Sequence, residues 1–269
     1  MSMEAFHVVT GVPRSGSTLL CNLLNQNPAI HASSTSPLAP TLGGVANYWT
    51  SAPEIKSELA HDAEEAEARM LAALRGMVSG WYSQRSEDVV FDKGRGWIAL
   101  ADRLGALYPD ARMLCCVRDP RDVFASVQRQ HLRFPVLDEH AQTPIVEKAG
   151  AMFAPAGIIG GPLTHIEDQI SRRSLAVVPV IFERLVADPE RELRKVYAEC
   201  LLDWWSGHDF ENVANVATDL DALYLGKFPH DASGKVEPPT HRWDDVVPPE
   251  LATQIVGRYP TFCRFFGYS

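Results

Sequence analysis

Five short apolar runs mark the chain, each bounded by charge, glycine or proline. "AFHVVTGV" (5–12) ends in glycine, and "AIHAS" (29–33) follows. "EDVVFDKG" (87–94) and "ARMLCCVRDP" (111–120) have apolar centres that end in charged residues. "LAVVPVIFERL" (175–185) is the fifth, with Pro179 weakening its middle. Runs of this kind predict buried strands. Helical spacing fills the intervals. "STLLCNLLNQNP" sets Leu19, Leu20, Leu23 and Leu24 on one helical face and stops at Asn27-Pro28. The stretch 57–85 is acidic and then amphipathic, and 97–109 has helical spacing. In 120–130, Asp119 is a natural N-cap and Pro120 takes the first helical position. Residues 189–205 are strongly helical.

Strands alternating with helices predict an α/β protein with right-handed crossovers. The expected architecture is a P-loop-like three-layer fold, its central parallel sheet of about five strands flanked by helices, in a single domain over 1–269. Two stretches rich in Pro, Gly and Ser, 33–44 and 228–249, predict long loops that are functional lids or mobile segments. No repeat or low-complexity tract interrupts the pattern.

Composition narrows the class. Hydrophobic residues make up 46% of 269 and charged residues 22%, ordinary for a soluble globular protein. A net charge of −9 argues against non-specific nucleic-acid binding, whereas a small anion needs only a local basic cluster. No run approaches the roughly 18 apolar residues of a membrane span, and "MSMEAFHVVTGV" lacks a secretory pattern. Cys21, Cys115, Cys116, Cys200 and Cys263 are odd in number and lack metal-ligand spacing, so they read as reduced thiols in a cytoplasmic protein.

The candidate chemistry lies where the predicted strands end, the place where open parallel sheets bind ligands. "GVPRSGST" (11–18) nearly matches G-x-x-x-x-G-K-[ST], but Ser17 stands at the lysine position and Arg14 lies inside the loop. Backbone N–H groups at the start of a helix, three hydroxyls and one arginine make an anion site. Lys93 follows the run "VVF". In "VRDPRDVFAS", Arg118 ends a strand and Ser126 lies two helical turns on, so both can hold one phosphate. Bland alternatives stay open: a plain turn, a solvated lysine, and an Arg118 paired with Asp119 or Asp122 while Ser126 packs.

Together these pieces resemble the sulfotransferases that use 3′-phosphoadenosine 5′-phosphosulfate (PAPS), nearest in motif to the tyrosylprotein branch. "PRSGST" looks like the family's 5′-phosphosulfate loop, and "RDPRDVFAS" looks like its 3′-phosphate motif. "FERLVADPERELRKVY" and "YPTFCRFFGY" are similar to later segments of bacterial members. The resemblance implies that Arg14, Ser15, Gly16, Ser17 and Thr18 bind the 5′-phosphosulfate and that Arg118 and Ser126 bind the 3′-phosphate. It implies that Arg14 and Lys93 stabilise the transferring group, that the acceptor is a small-molecule or peptide hydroxyl (or amine), and that no metal is needed. No carboxylate follows the second strand in "HASSTSPLAP", and Arg95 stands where the cytosolic branch has its histidine. His31 is then the nearest candidate base, with Asp92 a weaker one. Residues 228–247 are expected to close over the cofactor, with Lys235 among the donors. A P-loop small-molecule kinase and a degenerate nucleotide-binding member without activity are the alternatives.

Overall fold

The computed structural model describes residues 3–133, 143–173, 177–216 and 232–268. Five strands form one parallel sheet: β1 (Ala5–Gly11), β2 (Ile30–Ala32), β3 (Val89–Lys93), β4 (Met113–Val117) and β5 (Val177–Ile181). All five match the apolar runs. Their spatial order is β2-β3-β1-β4-β5. The chain leaves β1 towards β2 on one side, whereas β3 crosses over to β4 on the other. The carboxyl ends of β1 and β4 therefore flank the crevice where the connections diverge.

Helices cover both faces. On one, α1 (Ser17–Leu24), α9 (Phe182–Ala187) and α10 (Pro189–Glu199) pack Leu20, Leu24, Leu185 and Val196 against Val9, Phe91 and Leu114. On the other lie α2 (Leu38–Ser51), α4 (Ala63–Trp81), α5 (Ala101–Leu107), α6 (Pro120–Arg133) and α8 (Gly160–Arg172), with α11 (Pro249–Arg258) and α12 (Pro260–Phe266) beyond them. Helices α3 (Pro53–His61) and α7 (Ile145–Met152) complete the described set. Cys115 and Cys116 go to opposite cores, as adjacent strand residues must.

Four local expectations change. The loop predicted over 33–44 is helical from Leu38 onward, because Pro37 and Pro40 fall before and within the first turn, where N–H groups lack helical partners. The amphipathic stretch 57–85 is split at Asp62, whose carboxylate caps α4 through the Glu65 N–H. The stretch 97–109 begins as a 3₁₀ turn, Arg95–Leu100. The helix predicted to 205 stops at Glu199, after which Leu201 takes a positive φ of 57°. Pro179 is tolerated because β5 is an edge strand.

Candidate anion site

The turn after β1 is built from unusual backbone. Gly11 has φ 131°, and a β-carbon there would lie 2.0 Å from the Cys116 carbonyl oxygen, so only glycine lets β1 run this close to β4. Arg14 has φ 61°, rare for a residue with a side chain, and Gly16 has φ 85°. Two left-handed residues one apart curl the chain into a concave nest of N–H groups. Leu20 makes the first helical bond, to the Gly16 carbonyl, and no side chain caps α1. The loop thus presents its N–H groups outward at a helix start, where the dipole favours an anion.

The hydroxyls divide by where their protons go. Ser15 is buried and donates to the Val12 carbonyl at 2.7 Å, so its proton holds the loop's shape. Thr18 instead accepts from the Lys93 ammonium at 2.9 Å, and Ser126 accepts from Arg14 Nε at 3.2 Å. A hydroxyl that accepts keeps its own proton to donate.

Three strand ends converge on this loop. Lys93 arrives from β3, with its own N–H fixed to Ser33 Oγ at 2.7 Å. Arg118, 8% exposed, follows β4 and donates to the Arg14 carbonyl at 3.2 Å. Its guanidinium lies 4.3 Å from the centroid of Phe182, just after β5. The same ring fills the space beside Gly16, where a β-carbon would come within 2.6 Å of it. Phe182 is thus a floor under both halves of the site.

Among the described residues, no carboxylate comes within 4.0 Å of either guanidinium; Asp119 is engaged by Arg121 at 2.6 Å, and the charges of Asp122, Glu183 and Asp119 act on Arg118 from further off. Burial lowers the pKa of both Arg14 and Arg118, and the Arg118 charge lowers Arg14 further. Arg118 Nε is buried without an acceptor. Two crowded, partly desolvated cations with donors to spare form a cradle that a multiply charged anion would satisfy.

Other sequence candidates lie elsewhere. His31 is set apart from the loop: it shares a sheet face with Tyr82, opposite the Lys93 face, and its Nδ1 lies 4.0 Å from Glu87. Burial lowers its pKa first, then the Arg85 charge, against a raising effect from Glu87. Asp92 is 0% exposed and accepts from Tyr82 Oη and from Trp97 Nε1 at 2.6 Å, which makes it a structural carboxylate. Lys235 is exposed and paired with Glu211 at 2.8 Å. Residues 228–231 lie outside the described residues; further on, Gly234 bridges Val213 and the Trp243–Asp245 turn is tied to α6 through Arg129. Trp204 and Trp205 pack against the α10 side, as bland core residues do.

A family model described as "Sulfotransferase family" matches residues 8–206, spanning the loop, Lys93, Arg118 and Ser126. The chain belongs to the sulfotransferase family. It is 30% identical over 205 residues to the nodulation protein NoeE of Sinorhizobium fredii. That match covers 70% of this chain and 48% of NoeE, so the chain spans about half the length of this relative. Solved structures share the fold. The sulfotransferase domain of the Synechococcus PCC 7002 olefin synthase superposes with a TM-score of 0.60 at 20% identity, over 95% of this chain and 94% of that one. Mouse sulfotransferase SULT7A1, complexed with PAP, gives 0.56 at 12% identity, over 98% and 85%.

Phe182 and the Asp92 network carry no signature in the sequence alone. The "FERL" segment is similar to a later family segment and carries no site signature of its own. Nothing local to Phe182 says that its ring lies under residues 64 positions or more upstream. Among the described residues no helix is long and apolar enough to cross a membrane, and no group of three His, Cys, Asp or Glu could hold a metal.

Proposed function

We propose that this sulfotransferase moves a sulfuryl group from PAPS to a hydroxyl or amine of a small-molecule or peptide acceptor, and that residues 1–269 act as one unit. The observation that supports this most is the Arg14–Arg118 pair: two cations without a direct ion pair among the described residues, joined through the Arg14 carbonyl and bracketed by Ser126 and the N–H nest. Its relative SULT7A1 is complexed with PAP, the desulfated donor.

The donor, when bound, supplies an activated sulfuryl group on a 5′-phosphate. The N–H groups of 14–18 and the protons of Ser17 and Thr18 hold the 5′ end. Arg118 and Ser126 hold the 3′-phosphate. Arg14 touches Ser126 and the loop, so it links the two ends. Lys93, fixed on Thr18, places a positive charge where negative charge develops during transfer. Its ammonium on the Thr18 hydroxyl also occupies the position at which a P-loop kinase binds magnesium, which disfavours the kinase reading. The five cysteines are buried and no disulfide joins them, which supports a reducing compartment and hence the cytoplasm.

The test is calorimetric titration with adenosine 3′,5′-bisphosphate, followed by turnover of sulfur-labelled PAPS with a panel of phenol, alcohol, amine and tyrosine-peptide acceptors. Tight bisphosphate binding and transfer of label are expected. Binding without transfer to any acceptor would favour the degenerate member, and no binding would remove the donor assignment.

A further inference from the structure

Arg118 sits on a turn gripped from a distant part of the chain. Helix α12 ends at Gly267, whose φ of 79° turns the chain back so that the Tyr268 N–H bonds the Cys263 carbonyl at 2.8 Å. Tyr268 is buried, its ring 5.8 Å from Phe262. Both of its polar ends serve the residue after Arg118. The hydroxyl donates to Glu183 Oε2 at 3.0 Å, and Glu183 Oε1 accepts the Asp119 N–H at 3.1 Å. The carbonyl accepts from Arg121 Nη2 at 2.8 Å, and the same guanidinium holds the Asp119 carboxylate. Asp119 is thus held by backbone and side chain, and Tyr268 stands behind both contacts.

Glu183 is also the neighbour of Phe182, on which the Arg118 guanidinium rests. Its charge already acts on Arg118, as do those of Asp122 and Asp119, but none of these carboxylates forms a direct ion pair with that guanidinium among the described residues. With its oxygens committed to Tyr268 and Asp119, Glu183 stays where it is. Released from the tyrosine, it could turn to Arg118 and take the place of an external anion. We infer that Tyr268 is a positioning residue which fixes the Arg118–Asp119 turn and withholds Glu183 from Arg118, so that Arg118 stays open to the 3′-phosphate. This rests on the donor reading above.

The experiment compares adenosine 3′,5′-bisphosphate with adenosine 5′-phosphate, by calorimetry, on the wild-type protein and on Arg118→Ala, Tyr268→Phe and Tyr268→Phe/Glu183→Gln. The phenylalanine keeps the ring and its packing. The expected result is a wild-type preference for the bisphosphate that Arg118→Ala abolishes. Tyr268→Phe should lose about tenfold in bisphosphate affinity, as expected for a weakened charge-assisted contact, with 5′-phosphate affinity unchanged. Adding Glu183→Gln should restore most of the loss, because a neutral amide competes poorly for a guanidinium. A purely structural role for Tyr268 would weaken both ligands alike and show no rescue, and that pattern overturns the proposal. So does a Tyr268→Phe protein that keeps the full preference while Arg118→Ala loses it, which leaves the donor reading standing. A wild-type protein without any preference overturns the donor reading and the positioning role together.

Discussion

At the scale of single residues, the site depends on which hydroxyls donate and which guanidiniums go unanswered. Arg14 is costly to keep charged: partial burial and a neighbouring cation act against it, while its left-handed backbone would cost alanine as much. Arg14→Ala should therefore fold at least as well as the wild type by thermal melting, yet bind adenosine bisphosphate more weakly by about 1.5–3 kcal/mol, with turnover falling further. Ser126→Ala removes one neutral donor and should lose roughly 0.5–1.5 kcal/mol of binding. An Arg14→Ala protein with wild-type kinetics would remove the loop from the mechanism. The residue types here were legible because glycine, arginine and hydroxyls in that spacing have few other uses. Proton direction was not: Ser15 turns inward to Val12 while Thr18 and Ser126 accept, and only the folded loop decides this.

At the scale of elements, the strand ends are held by a buried polar knot that no motif announces. Asp92 at the end of β3 takes Trp97 from the following 3₁₀ turn, Tyr82 from the end of α4, and Ser36 from the approach to α2. Burial raises the Asp92 pKa, and the Ser36, Tyr82 and Trp97 hydrogen bonds oppose it. Asp92 is a weaker candidate base in the sequence, next to His31, because neither usual base of the family stands at its position. Period-two alternation resolves the matter, since Lys93 and Asp92 point to opposite faces. Asp92→Ala strands three buried donors and should destabilise the fold by about 3–5 kcal/mol in urea unfolding. Asp92→Asn keeps an acceptor and should lose less, with kcat within about tenfold of wild type. A kcat reduced by several orders of magnitude in a stable Asp92→Asn protein would restore the carboxylate as a base. The α2 helix differs from its expectation for a related reason: proline and glycine content predicts a loop, but Leu38, Ala39 and Leu42 bury a face against the core.

At the scale of the whole molecule, the five strands and their parallel sense follow from apolar runs alternating with helices, whereas the order β2-β3-β1-β4-β5 is set by long-range pairing. The register that brings Lys93 beside Val9, and so beside the loop, is a long-range pairing that no local pattern specifies. Near the middle of that sheet lies His7, 2% exposed on the central strand, stacked on Phe91 at 5.0 Å and accepting the Arg112 N–H at Nδ1. Its Nε2 is buried without a partner. Burial first, and the Arg112 charge second, push its pKa down from 6.5 to about 4. Above pH 6.5 the ring is neutral in both the folded and unfolded chain and adds no pH dependence. As pH falls from 6.5 towards 4, the unfolded chain takes up a proton that the folded one refuses, so stability is lost across that window and levels off below it. Between pH 7 and pH 5 this amounts to roughly 2 kcal/mol, an order-of-magnitude figure from the shift. For a chain of this size that corresponds to a melting temperature lower by about 4–8 °C. His7→Asn keeps an acceptor for the Arg112 N–H without a titrating ring, and should remove most of this dependence while melting somewhat lower at pH 7. Equal slopes of melting temperature against pH in the two proteins would show that the acid sensitivity arises elsewhere.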